Sequence, residues 1–216
     1  MKLTAFQYGK TDLAESMIFE GASPSVKQPI SLLFFLIEAG DKRILVDVGC
    51  DTMPGFELYE FTPPVTLLEK YISREEITHV VLTHCHHDHV DAVRYYTNAK
   101  VYINSKEYEY AKSYLEGLDV VTFDEDFELA DGIEVRVVGG HFFGSCIVVI
   151  GNTVLCGDEC YSIKNLKEGI MTGSTVCREN SRKFLDKYAK GYNTVLFHAP
   201  DVVGEIGYKT LLETDL

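Results

Sequence analysis

The chain of 216 residues has no tryptophan, only seven histidines and six cysteines, and 20 basic residues against 33 acidic ones. The resulting net charge of −13 excludes a nucleic acid as the main ligand, because such binding draws its affinity from Lys and Arg neutralising phosphates. Surplus carboxylate otherwise serves mainly solubility. Cys50, Cys85, Cys146, Cys156, Cys160 and Cys177 form no CxxC pair, and a chain of this length does not need stapling. The first residues lack the apolar run of a signal peptide, and the most apolar stretch, 31–38, is of strand length and too short to span a bilayer. These absences point to a cytoplasmic protein with free thiols, no membrane partner and no nucleic acid. They leave the oligomeric state open. No repeat, low-complexity tract or Pro/Gly/Ser-rich linker divides the sequence, so 1–216 reads as one domain.

What is present is an ordinary globular composition, 46% hydrophobic and 25% charged. Residues 31–38 and 43–48 are β-rich runs separated by four turn-forming residues, which predicts a hairpin. Thr62, followed by Pro63 and Pro64, reads as a helix N-cap, with Val65, Leu68 and Ile72 on one face. Ser73 to Glu76 fits a capping box. A strand is expected over 77–82, a short helix carrying Val90, Val93 and Tyr96, and a strand over 100–103. Ser105 would then cap a helix carrying Tyr108, Ala111 and Leu115. Strands follow at 127–130, 133–138, 147–150 and 153–156, the last two flanking the Gly151-Asn152 hairpin signal. A helix over 178–190 and a strand over 194–197 complete the pattern. Strands outnumber helices, which recur between groups of strands. That order predicts an α+β fold of two β-sheets packed face to face with helices on their outer faces.

The chemistry concentrates in Thr83-His84-Cys85-His86-His87-Asp88-His89. At an extended strand end residues two apart point the same way, so His84 and His86 can converge on one ion. Asp88 and His89 follow as the chain turns into a helix, and reach a neighbouring point. Imidazole and carboxylate suit zinc, iron or manganese. One segment cannot fill two coordination shells. The candidates elsewhere are His141, which follows two glycines, Asp158 and His198, each where a strand gives way to a loop. Taken alone, each also reads as a polar residue at a sheet rim. His79, His87 and Cys85 are expected not to be ligands.

Residues 83–89 match the HxHxDH motif of the metallo-β-lactamase superfamily, and the order of the remaining candidates is similar too, from the strand at 45–49 to His198. The resemblance implies an αββα sandwich of two mixed sheets and a pair of divalent ions, zinc first, with iron or manganese as alternatives. It implies His84, His86 and His141 on the first ion, Asp88, His89 and His198 on the second, and Asp158 bridging both. Asp47 resembles the family's buried acid that orients a ligand histidine, although an Asp before Gly49 can also be turn-forming. Two departures stand out. Asp91 occupies a position where the family most often has glycine, and Phe142-Phe143 one where Thr-Pro is frequent. Both alter loops beside the site, which puts the substrate class in question rather than metal binding.

The implied chemistry is hydrolysis by a metal-bridging hydroxide, with Asp88 binding a metal and passing a proton to the leaving group. Tyr161 lies three residues after Asp158, an offset similar to that of the tyrosine that assists ring opening in N-acyl homoserine lactone hydrolases. The expected substrate is therefore a small lactone or similar ester. Alternatives of the same fold are a glyoxalase II-like thioesterase and a small phosphodiesterase. One of a different class is a non-catalytic metal-binding or sensor protein, which would show decayed ligands. The substrate loops are placed at 56–64 and 164–175.

Overall fold

The computed structural model describes residues 1–214. Strand β1 (Lys2–Ala14), the one-turn helix α1 (Glu15–Ile18) and β2 (Lys27–Ala39) open the chain, β1 and β2 pairing antiparallel with a bulge between Gln7 and Gly9. Gly40, at φ +59, turns β2 into the antiparallel β3 (Lys42–Val46). Helices and strands then alternate as α2 (Pro64–Leu68), β4 (His79–Val81), α3 (His87–Val90), β5 (Lys100–Asn104), α4 (Ser105–Ala111) and β6 (Asp119–Phe123). The crossovers leave β3, β4, β5 and β6 parallel. An antiparallel meander follows, β7 (Phe127–Ala130), β8 (Ile133–Val137), β9 (Cys146–Ile150) and β10 (Thr153–Leu155). Helices α5 (Ile163–Glu168) and α6 (Arg178–Tyr188) lead to β11 (Asn193–Val195), parallel to β10, and β12 (Gly207–Glu213) returns to pair with β1.

The result is two mixed sheets, one of seven strands in the order β12-β1-β2-β3-β4-β5-β6 and one of five, β11-β10-β9-β8-β7. Period-two alternation assigns their faces. Along β2, Leu33, Phe35 and Ile37 enter the core shared with the smaller sheet, against Ile133, Val135 and Val148. Leu32, Phe34 and Leu36 face the other way, where Leu67, Leu68, Val90, Val93 and Ala111 cover them. Phe184, Leu185 and Tyr188 of α6 and Leu166 of α5 pack with the smaller sheet. Helices thus flank both sheets, as the order of elements predicts.

Several local expectations are corrected. Thr62 does not cap α2: its N–H donates to Tyr8 O (2.8 Å), which holds it on β1, and Pro63 takes the cap position. Asn104 rather than Ser105 caps α4, its side chain accepting from Lys106 N–H, while the Ser105 hydroxyl turns to Asp124. The strand expected over 77–82 narrows to His79–Val81, and Ser73 does form its capping box, on a single 3-10 turn. Strands β1, β6 and β12 were not anticipated. In β1 the bulge and the buried polar residues Thr4, Gln7 and Thr11 break the alternation that marks a strand.

Candidate metal centre

Five strands deliver the site from their C-terminal ends: β3 precedes Asp47, β4 precedes 83–89, β8 precedes His141, β10 precedes Asp158 and β11 precedes His198. Asp47 adopts φ +57, a left-handed conformation that Asp tolerates better than most residues. It is fully buried and accepts from Thr83 N–H (2.7 Å), Thr83 Oγ1 (2.8 Å) and His89 Nδ1 (2.6 Å). Because the Thr83 hydroxyl spends its one proton on Asp47, it can only accept from His84 Nδ1 at 3.0 Å. His84 Nε2 is thereby left as a bare lone pair.

His84 Nε2 and His141 Nε2 each lie 3.0 Å from His86 Nδ1. Unprotonated ring nitrogens at that separation repel unless a proton or cation lies between them. Asp158 Oδ2 stands 3.7 Å from His84 Nε2 and 3.6 Å from His141 Nε2, closing a group of four potential ligands, His84, His86, His141 and Asp158. A second group comprises Asp88, His89 and His198. His198 Nδ1 donates to Ser31 O (3.0 Å), and its Nε2 lies 2.8 Å from Asp158 Oδ1. His89 Nε2 is 3.2 Å from Asp158 Oδ1 and 3.6 Å from Asp88 Oδ2, yet it is buried with no hydrogen-bond partner. An orphaned buried nitrogen facing carboxylates, beside converging imidazoles, is what a site for divalent cations requires. The residues present fit such ions.

Burial drives two histidines of the first group down: His84 lies well below its usual value, with His89 adding to the effect, and His141 falls to about 4. In the second group burial pulls the same way, but Asp158, Asp47 and Asp88 outweigh it and raise His89, and Asp158 raises His198. Burial would raise Asp158, yet His89 and His198 hold it well below the carboxylate range. Burial pushes the Glu159 carboxyl up to about 7 against the pull of Ser145 and the N–H groups of His141 and Gly140.

All seven candidate ligands therefore meet in two adjoining groups, with Asp47 behind His89. His79, His87 and Cys85 stay out of both. His79 stacks on Tyr102, while His87 bonds to Tyr114 and Thr52 O. Tyr161 donates to Asp158 Oδ2 (2.6 Å) and stacks on His198 (4.7 Å). Asp91 accepts from Asp51 N–H (2.9 Å) and pairs with Arg94. Phe142 sets its ring against His86 at 5.1 Å. A cavity of about 300 Å³ opens on His86, Asp88, His141, Asp158, Tyr161 and His198, and its remaining wall includes Leu13, Met17, Ile30, Met53 and Phe56. Of the expected substrate loops, Phe56 and Ser174 reach this cavity. A larger cleft of about 690 Å³ touches the site only through Ile30, Tyr161 and His198. The sequence reading missed Thr83, Ser31 and Ser174, whose hydroxyl is 3.3 Å from His141 Nδ1, and the buried carboxylates Glu107 and Glu159. Thr83 lies inside the 83–89 segment and Ser174 inside the 164–175 loop. The others carry no local signal.

Residues 33–158 match the model of the metallo-beta-lactamase superfamily. The chain belongs to that superfamily. With its two convergent His/Asp groups it is a metal-dependent hydrolase. It is 26% identical over 174 residues to a probable metallo-hydrolase of Methanocaldococcus jannaschii, covering 71% of this chain and 80% of the relative. It is 22% identical to an N-acyl homoserine lactonase of Bacillus cereus over 244 residues, 98% of each chain. The structure of an N-acyl homoserine lactone hydrolase, with N-hexanoyl-L-homoserine bound at its catalytic metal center, superposes with a TM-score of 0.80 at 20% identity, covering 92% of this chain and 93% of that one. That last likeness establishes the αββα fold. Among the described residues, no helix is long and apolar enough to cross a membrane, and all six cysteines are free.

Proposed function

We propose that this chain opens the lactone ring, or a similar ester, of a small acylated molecule with the help of two divalent ions, zinc first and iron or manganese as alternatives. The observation that carries the reading is the meeting of seven potential ligands in two groups joined through Asp158, five of them lining a cavity whose remaining wall is largely apolar. His84, His86 and His141 would hold one ion, Asp88, His89 and His198 the other, and Asp158 would reach both. When bound, such ions make water nucleophilic at neutral pH and polarise a carbonyl oxygen. Asp47 fixes the tautomer of His89 by accepting from Nδ1. Burial and Asp158 keep the Tyr161 hydroxyl protonated well above neutrality; its one proton rests on Asp158 Oδ2 and would have to swing from there to a carbonyl oxygen in the cavity. Asp88 lines the same cavity and would take a proton from the attacking water and return it to the leaving alkoxide.

The apolar wall favours a substrate with an acyl chain, in keeping with the product held by the lactone hydrolase of the same fold. The whole of 1–216 would work as one domain. The test is a panel of an acylated lactone, a thioester and a phosphodiester, offered to metal-stripped and zinc-reloaded protein. The expected result is metal-dependent lactone opening that falls by roughly 10²-fold or more in Asp88→Asn and Tyr161→Phe, with zinc content unchanged in Tyr161→Phe and largely kept in Asp88→Asn. Lactone turnover indifferent to Tyr161→Phe would remove that residue's role. Faster thioester cleavage would reassign the substrate.

A further inference from the structure

Two buried carboxylates outside both ligand groups contact the loops that carry the first group. Glu107, on α4, is fully buried. One of its oxygens accepts from Gly144 N–H (2.6 Å) and the other from Cys85 N–H (3.1 Å). Cys85 sits between His84 and His86, and Gly144 lies three residues beyond His141, so a single carboxylate ties the two loops together. Glu159, also buried, grips the second loop from its other end. It accepts from Gly140 N–H (3.2 Å), from His141 N–H (3.1 Å) and from Ser145 Oγ (2.5 Å). Neither glutamate has an Arg, Lys or His partner among the described residues, so their acceptor capacity is spent on these loops.

The glycines of the second loop fit the same scheme. A Cβ on Gly140 would collide with Glu159 Oε2 and Ser181 Oγ, and one on Gly144 with Asn104 Oδ1. Gly140 needs to be glycine because its backbone lies against Glu159, which holds it, and Gly144 because Asn104 at the start of α4 closes in beside it. Desolvating two carboxylates is costly, and loops this short could be joined by apolar packing. What the carboxylates add is direction: each Glu107 oxygen sets one particular N–H, and Glu159 Oε1 gathers Gly140 N–H, His141 N–H and Ser145 Oγ, and with them the neighbouring imidazoles.

We propose that Glu107 and Glu159 are positioning residues that fix the spacing of the 84–86 and 139–145 loops, so that His84, His86 and His141 already converge before a metal arrives. This rests on the metal-binding reading given above. Ser31 orients His198, and Asp47 holds both His89 and Thr83, the partner of His84; among the described residues neither hydrogen-bonds to the 139–145 loop.

The test uses the full chain, stripped of metal and titrated with Co²⁺. The visible spectrum reports the coordination sphere, and a competing chelator reports affinity. Glu107→Gln keeps size and shape but can accept only one of the two loop N–H groups. Glu159→Gln likewise loses one acceptor oxygen. Each should weaken one Co²⁺ equivalent by about 10- to 100-fold, the range for a partner that orients a ligand, and should alter its spectrum while leaving the other equivalent unchanged. Equal affinities and spectra in wild type and both variants would overturn the proposal, even if the variants melt earlier, since a merely structural role predicts only that. If a variant does not fold, hydrogen exchange in metal-free wild type decides. Protected amides at Cys85, His141 and Gly144 support the clamp, whereas free exchange that slows only on adding Co²⁺ overturns it. Failure of the metal-binding reading itself is distinguishable, because wild type would then take up no Co²⁺.

Discussion

The two ligand groups use the same side chain in opposite electrostatic states. His84 and His141 are desolvated imidazoles among other imidazoles, and burial holds them neutral. His89 and His198 are equally buried, but carboxylates surround them and raise them above the usual histidine value. The outer partners differ in kind as well. His84 meets a hydroxyl, Thr83, on its far side, and His141 lies near another, Ser174, whereas His89 donates to the charged Asp47. One group is therefore ready for a cation, while in the other the surrounding carboxylates favour protons that compete with a cation.

Asp158 is where the two groups join, and its replacement should have the largest effect. Asp158→Ala leaves His198 Nε2 and His89 Nε2 without their nearest oxygen. Metal content should fall at both groups and hydrolysis should drop by more than about 100-fold, beyond what an orienting partner costs. Loss at one group alone would break the link between them. Next comes Asp47→Asn, which removes the charge directly behind His89 and reaches His84 only through the Thr83 hydroxyl. Metal affinity at the second group should weaken by about 10- to 100-fold, with a smaller loss at the first.

The comparison is sharpened further by pH. As pH falls, protons compete with metal at the raised histidines, His89 and His198, before they reach His141, whose value is about 4. Affinity at the second group should decline earlier, by about tenfold per pH unit for each displaced proton. In the metal-free fold the two groups act on stability with opposite signs. His84 and His141, depressed below 6.5, contribute above that pH and lose the contribution as pH falls, for His141 towards about 4. His89 and His198, raised above 6.5, contribute fully below it and lose the contribution as pH rises through their folded values. Parallel pH profiles for metal loss at both groups would contradict the contrast. The smallest effect belongs to His87→Ala, which removes hydrogen bonds to Tyr114 and Thr52 O. Metal content should be unchanged and stability lower by about 1 kcal/mol, read from a denaturant titration.

The site was more legible in the sequence than the fold around it. His84, His86, Asp88 and His89 fall within six positions, and that density has few explanations besides a cation. His141, Asp158 and His198 are single residues at strand ends, and their grouping came from resemblance to a family rather than from spacing. Hairpins with turn residues, such as β2–β3 and β9–β10, could be read because Gly40 and Gly151 need positive φ. Strand β1 could not, because its bulge and buried polar residues disrupt the alternation. Glu107 and Glu159 were invisible for a different reason. A carboxylate that bonds to backbone N–H groups, joined in Glu159 by the Ser145 hydroxyl, leaves no pattern among 33 acidic residues.

The most direct test of the two-ion site is calorimetric titration of the metal-stripped chain with zinc at neutral pH. Two equivalents should bind with separable affinities, and the pH dependence should be steeper for the one lost in Asp47→Asn. A single equivalent, or none, would contradict it.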